Sequence, residues 1–308
     1  MSRKIIESLN PELYERLRKI EDSDEFFEYF IRPLRVSIRV NTLKADLSYV
    51  VERLSDYICG EVPWCREGFY FKTDDFSRIP EHQLGVIISQ EASSMIPVQL
   101  MELKPGMKVL DLAASPGVKT TQIAQYMENE GCIVANDVKI DRVNILISNL
   151  QRLGVLIATV TMGDGRYFRR YEDHFDAVLV DAPCSNIGMI RKNYKYAKLW
   201  NLNETKALSK LQKDLIFAAY KAVKPKGIIV YSTCTVDPLE NEEVVDYLLR
   251  NAEVKVEKIN IPVKSSEAIL EFEGKTYDEE VRKCLRIHPQ NNDSEAFFVA
   301  KLRKLESF

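Results

Sequence analysis

From Lys108 to Val230, short apolar runs alternate with helix-length amphipathic runs, the rhythm of βαβ units laid along a parallel sheet. Lys108–Leu112, Ile133–Asn136, Leu156–Thr161, Ala177–Val180 and Ile228–Ser232 are rich in Val, Ile and Leu and predict strands buried on both faces. Between them, Lys119–Asn129, Ile140–Leu153 and Asn203–Val223 predict helices. Two later runs, Val281–Ile287 and Ala296–Leu302, predict antiparallel strands that finish the sheet. Before Glu81 the pattern changes: helical segments around Pro11–Ile20 and Glu25–Phe30 precede Val36–Leu43 and Gly68–Lys72, which predict strands. The expected architecture is an α/β domain over residues 86–308, preceded by a small α+β domain over residues 1–85.

A chain of 308 residues with 45% apolar and 29% charged positions has an ordinary globular composition, which excludes fibrous and low-complexity classes. Its apolar stretches fall short of the ~18–20 residues that a spanning helix needs, and no charged-then-apolar leader precedes Asn10. A soluble, cytoplasmic protein without membrane contact is expected. The six cysteines are dispersed, and even Cys59 and Cys65 have the wrong spacing for zinc. No metal site is expected, and each cysteine is either a core residue or a reactive thiol.

A net charge of −3 gives no overall footprint of nucleic-acid binding. Locally the balance differs. Between Asn186 and Lys213 there are seven basic residues, among them Arg191, Lys192, Lys195 and Lys198, against the single acid Glu204. Tyr194, Tyr196 and Trp200 are interleaved, so the segment reads either as a phosphate and base track or as a solvated helix face.

The first strand of the α/β part runs into Ala113, Ala114, Ser115, Pro116, Gly117, Val118 and Lys119. Small residues let a ligand approach the backbone, and Ser115 before Pro116 has the form of a helix N-cap. A single glycine excludes the dinucleotide fingerprint. Lys119 opposes the helix dipole in the first turn and so calls for a partner. Asp137 ends the next strand, placed for ribose hydroxyls or for capping the following helix, and Asp164 lies in Gly163-Asp164-Gly165-Arg166, a turn or a further ligand. Carboxylates at successive strand ends favour a nucleoside-containing cofactor. Cys184 and Cys234 follow the fourth and fifth strands, where a thiolate can attack an electron-poor ring carbon.

These residues resemble the RNA cytosine-C5 methyltransferases of the NOL1/NOP2/Sun (Fmu-like) group, most closely archaeal tRNA enzymes. The matching blocks span nearly the whole chain: Ile38–Lys44, Gln90–Ser94, Asp111–Thr120, Asn136-Asp137 with Arg142, Gly163–Arg166, Asp181–Ser185, Ser232–Cys234 with Pro238 and Asn241-Glu242, and Phe297–Ala300. The resemblance implies a Rossmann-like methyltransferase sheet that uses S-adenosylmethionine. Ala113–Lys119 and Arg142 border the cofactor, Asp137 holds its ribose, Asp164 meets the adenine, and Asp181 lies between its methionine end and the base. It also implies that Cys234 adds to C6 of cytosine, that Cys184 resolves the adduct, and that Lys119 and Asp181 contact the base. The N-terminal domain is then an RRM-like RNA binder, with Arg35, Arg39, Arg191, Lys192, Lys195 and Lys198 on the RNA surface of a monomer. Three motifs depart from the pattern: Ala113–Lys119 stands for Cys-Ala-Ala-Pro-Gly-Gly-Lys, losing a cysteine and, at Val118, the second glycine, Asn186 replaces the glycine after Cys-Ser, and Glu295-Ala296 replaces Asp-Gly. The competing readings are a ribosomal RNA enzyme, a DNA-type enzyme attacking with Cys184 alone, and a non-catalytic RNA-binding scaffold.

Overall fold

The structure, a computed structural model, describes residues 1–306. Three amphipathic helices lead the chain: α1 (Ser2–Leu9), α2 (Pro11–Ile20) and α3 (Asp24–Ile31). Asn10 and Ser23 cap the second and third by accepting from Leu13 N and Phe26 N. Next come β1 (Val36–Val40), α4 (Leu47–Arg53), β2 (Ile58–Glu61), β3 (Gly68–Phe71), a single turn at Pro80–Gln83 and β4 (Ile87–Ser89). They form an antiparallel sheet ordered β2-β3-β1-β4. Alternation along the strands puts Ile38, Val40, Phe69 and Phe71 on one face over Val50 and Leu54 of α4. The other face, carrying Ser37, Arg39 and Tyr70, packs against the second part of the chain, where Ser37 Oγ donates to Gln90 O.

The larger sheet begins with β5 (Lys108–Asp111), followed by α5 (Val118–Tyr126), β6 (Cys132–Asp137), α6 (Ile140–Leu153), β7 (Ala158–Met162), β8 (Phe175–Asp181), α7 (Leu202–Ala222), β9 (Val223–Thr233) and α8 (Glu242–Asn251). It closes with β10 (Val254–Val256), β11 (Leu285–Ile287) and β12 (Phe297–Lys304). β9-β8-β5-β6-β7 run parallel, while β12 lies antiparallel on β9 and pairs with both β10 and β11. Successive residues bury into opposite layers: Val109, Ala177, Leu179 and Val230 on one side, Leu110, Val178, Val180 and Tyr231 on the other. This is an α/β Rossmann-like sheet. Strand order reverses between β5 and β8, which opens a crevice at their carboxyl ends.

Several expected boundaries move. β1 stops at Val40, because Asn41 turns the chain: its Oδ1 accepts from Leu43 N (3.2 Å) and its Nδ2 donates to Gly85 O (2.9 Å) and Leu153 O (2.8 Å). β7 begins only at Ala158, leaving Leu156 exposed. Glu279–Lys283 form a 3-10 turn capped by Asp278, so only Leu285–Ile287 of the expected strand pairs with β12. Ser115 is not the cap of α5. Gly117 is, at φ 101, and its Cβ would meet Leu146 Cδ1 at 2.9 Å, so both space and backbone call for glycine.

The leading helices do not pack on the small sheet's core. Ile6, Leu13, Phe26, Phe27 and Phe30 share a cluster with Ile187, Ile190, Trp200, Val236 and Ala296, and buried Arg16 makes paired hydrogen bonds to Asp237 (2.7 and 2.8 Å). They therefore clamp the segments that follow Cys184 and Cys234.

Candidate active site

The loop after β5 is pinned from the neighbouring strand and helix. Ser115 N donates to Asp137 Oδ2 (3.2 Å), Ser115 Oγ donates to Arg142 O (2.8 Å), and Arg142 returns hydrogen bonds to Asp137 (3.0 Å) and Ser115 O (2.8 Å). Lys119 is buried and has the partner that its position demands: Nζ donates to Asp181 Oδ2 (2.8 Å) and Ser94 Oγ (2.9 Å). Ser232 Oγ donates to the other Asp181 oxygen (2.8 Å).

Parallel pairing of β8 with β9 sets Asp181 opposite Ser232, so the chain leaves both strands side by side. Cys184 and Cys234 then meet with sulfurs 2.9 Å apart. The adjoining thiol, followed by burial, holds the Cys234 thiol well above its ordinary range. The Cys184 loop is held from below by buried Glu240, which accepts from Ser185 N and Gln212 Nε2 (both 2.9 Å) and from Ser185 Oγ.

These groups line one cavity of about 560 Å³. Ala113, Ala114, Ser115, Pro116, Val118, Lys119, Arg142, Asp181, Cys184 and Cys234 all reach it, whereas Gly117, Asp137 and Asp164 do not. Asp137 is engaged by Arg142 and the Ser115 amide. Asp164 caps a 3-10 turn and pairs with Arg166, whose hydrogen bond holds its carboxyl low.

The expected RNA residues divide. Arg39 is a correction: its side chain is fully buried between the small sheet and α5, donates to Thr121 Oγ1 (2.8 Å), and is lowered to about 10 by burial. Arg191 is another, tied to Arg32 O, Pro33 O, Ser294 O and Asp293 with no exposed side-chain surface. Lys195 and Lys198 are exposed, and Arg35 lies 3.6 Å over the Tyr70 ring with Asp293 beside it. Lys192 reaches the cavity itself, 2.5 Å from Glu295. Glu240, Glu295 and Asn186 are functional neighbours without a local sequence signal of their own, although two of them stand among the noted departures.

Residues 98–303 match the family described as 16S rRNA methyltransferase RsmB/F, and residues 9–92 match the N-terminal domain of 16S rRNA methyltransferase RsmF. The chain belongs to the RsmB/F methyltransferase family. Within that family, the tRNA (cytosine(49)-C(5))-methyltransferase of Pyrococcus abyssi is 57% identical over 300 residues, 96% of either chain. Ribosomal RNA small subunit methyltransferase F of Vibrio vulnificus is 41% identical over 92% of this chain, which spans only 61% of that protein's length. A crystal structure of a methyltransferase homologue from Pyrococcus horikoshii superposes with a TM-score of 0.84 at 34% identity, covering 95% of this chain and 94% of that one. Among the described residues, no helix is long and apolar enough to cross a membrane.

Burial raises three carboxyls, Asp111, Glu240 and Glu295, to about 7. Each therefore binds its proton more tightly folded than unfolded, and its contribution is complete below the unfolded value and lost as pH rises through 7. Buried His288, lowered to about 3, acts oppositely and costs stability below the ordinary imidazole range. Half-buried His82, also lowered by burial, acts in the same sense as His288, and the three carboxyl titrations outweigh the two imidazoles between pH 7 and 5. Urea unfolding should show stability increasing as pH falls over that interval, on the order of 1 kcal/mol or more per unit, and decreasing again in stronger acid. A flat profile would refute the burial of these carboxyls.

Proposed function

We propose that the chain transfers a methyl group from S-adenosylmethionine to C5 of a cytosine in tRNA, with Cys234 as nucleophile and Cys184 as the resolving thiol. The observation that carries this reading is the pair of thiols at adjacent strand ends, in one cavity with the Lys119–Asp181 pair. A donor bound at Ala113–Lys119 is supported by Asp111, which lines the cavity with an oxygen that has no hydrogen-bond partner among the described residues. A cationic, hydrogen-bonding ligand satisfies such an atom, and about 560 Å³ is within the usual range of ligand cavities. Arg142 and Asp137 would hold that ligand's far end through the Ser115 loop, and Asp164 would act from the next strand end. When bound, the cofactor supplies an electrophilic methyl group on a sulfonium.

The chain's own residues do the rest. C5 of cytosine is a poor nucleophile until a thiolate adds to C6, which pushes electron density onto C5. Cys234 forms that C6–S bond, while Lys119 and Asp181 hold the base edge and favour a proton at N3. After methyl transfer, Cys184 as its thiolate takes the C5 proton and becomes the thiol; the electron pair restores the ring double bond, and the C6–S bond breaks to return the Cys234 thiolate. A paired cytosine has to be turned out of its stack to reach the cavity.

A tRNA substrate is favoured over ribosomal RNA because the Pyrococcus abyssi tRNA enzyme is 57% identical over 96% of either chain, against 41% for the bacterial ribosomal enzyme. The boundary expected at residues 85/86 falls just before β4, whose pairing with β1 assigns it to the small sheet; residues 1–85 together with β4 would form the RNA-binding unit, a reading supported by the βαββαβ order of that sheet, and the rest of the chain would be catalytic. On this reading the protein works in the cytoplasm as a monomer. Bisulfite sequencing of tRNA transcripts incubated with protein and S-adenosylmethionine tests it: one protected cytosine is expected, and protection confined to ribosomal RNA would reassign the substrate.

Lys195, Lys198, Lys192 and Arg35 form the proposed RNA surface. Each phosphate contact removed should flatten the log–log dependence of affinity on salt by ~0.7 for single-stranded RNA, or ~0.9 for a duplex-like region. If Lys195→Ala and Lys198→Ala leave both affinity and slope unchanged, the segment is a solvated face.

A further inference from the structure

Asn186 stands in left-handed backbone, at φ 58 and ψ 29, where glycine is the least strained residue. The surrounding chain over-determines that conformation. Gly188 N donates to Cys234 O (2.9 Å), Met189 N donates to Asn186 O (2.9 Å), and a Cβ on Gly188 would strike Ala296 O at 2.3 Å. The side chain so presented does not serve the loop. It enters the catalytic cavity, where Cys234 Sγ donates to Asn186 Oδ1 at 3.2 Å and Cys184 Sγ lies 4.0 Å from the same oxygen. Its Nδ2 donates to no group among the described residues.

We infer that Asn186 is a positioning residue for the nucleophile: its carboxamide accepts from the resting Cys234 thiol and, turned by half a rotation, donates to the Cys234 thiolate. This rests on Cys234 being the attacking sulfur. A side chain with both an acceptor and a donor is suited to the two protonation states of one atom. The bond to the thiolate is the stronger of the two, because a hydrogen bond to a charged acceptor outweighs one from a neutral thiol. The net effect is to favour ionisation of a sulfur that its surroundings otherwise keep protonated. Those surroundings are Asp181 at the end of β8 and Cys184 beyond it, Glu295 before β12, Lys192 just after a 3-10 turn at Ile187–Arg191, and Lys119 of α5; only the two lysines favour a thiolate. The amide also selects between the sulfurs, since it lies nearer Cys234 than Cys184 and two adjoining thiols share their protons as a pair.

The test is the pH profile of iodoacetamide alkylation, followed by mass spectrometry on the peptide that carries Cys234. Asn186→Gly relaxes the backbone and removes only the amide; it should raise the midpoint by about one pH unit, a tenfold slower reaction at pH values below both midpoints and an equal rate above them. Asn186→Asp substitutes an acceptor that cannot donate and carries charge, and should raise the midpoint further. The acid limb of the methylation rate should move with the alkylation midpoint in each variant. Coincident alkylation profiles for Asn186→Gly and the unchanged protein overturn the inference, as does a downward shift, which would make the amide a thiol-holding group alone. Should Asn186→Gly fail to fold by circular dichroism, the Asn186→Asp profile decides on the same criterion. Failure of the functional reading looks different: the unchanged protein would not methylate RNA and Cys184→Ala would not trap it, while the alkylation shift would persist.

Discussion

Cys234→Ala is expected to abolish methylation, a loss at least on the order of 10⁴-fold, and to leave no covalent protein–RNA species, because nothing then adds to C6. Cys184→Ala is expected to behave oppositely in one respect. Cys234 can still attack and the methyl group can still be accepted, but the C5 proton has no Cys184 thiolate to receive it and the adduct does not collapse. A band that survives denaturing electrophoresis should therefore accumulate with Cys184→Ala and be absent with Cys234→Ala. The sulfurs are 2.9 Å apart, so either is near the substrate by position, and only their chemistry distinguishes them. A trapped band with Cys234→Ala instead would exchange the roles and restore the DNA-type reading. Normal turnover by both variants would end cysteine catalysis altogether.

The thiol pair could be found from sequence because parallel-strand register does the positioning. Buried strands announce themselves as continuous Val, Ile and Leu runs, and once Asp181 lies opposite Ser232, the cysteines a few residues on must be neighbours. Lys119 was equally traceable, since a cation in a first helical turn needs a partner, here Asp181. The arginines were not. A one-dimensional charge count sees Arg39 and Arg191 as solvent-facing, whereas the second face of the small sheet packs on α5 and the leading helices fold back over the segment after Cys184. Both arginines are consumed in joining those layers. Asp164 illustrates a different limit: the same Gly-Asp-Gly-Arg sequence serves a turn or a ligand, and here Arg166 occupies the carboxylate locally. Glu240 and Asn186 were out of reach for a third reason, because their partners Ser185 and Cys234 lie 55 and 48 residues away in the chain.

Arg286 is expected to be the most costly single residue to remove outside the catalytic cavity. It lies in β11 with its side chain 2% exposed, donates Nε and Nη2 to the two oxygens of Glu242, and donates Nη1 to Val236 O at 2.7 Å. Glu242 opens α8, is fully buried, and also accepts from Ile269 N at 3.3 Å. Arg286→Met removes one charge and strands the other in a medium that solvates it poorly, which typically costs about 3–5 kcal/mol. Adding Glu242→Gln should recover part of that loss, because the stranded charge then disappears while most of the volume remains. As a reference, breaking the exposed Arg282–Glu279 pair should change stability by less than about 0.5 kcal/mol. Urea unfolding of the three variants separates these cases, and a cost below about 1 kcal/mol for Arg286→Met would refute the buried-pair account. The consequence reaches the site through the backbone: Val236 is two residues beyond Cys234, so the guanidinium that holds its carbonyl also limits where the nucleophile can move. In folded Arg286→Met at low temperature, methylation should therefore fall more steeply than the folded fraction alone accounts for.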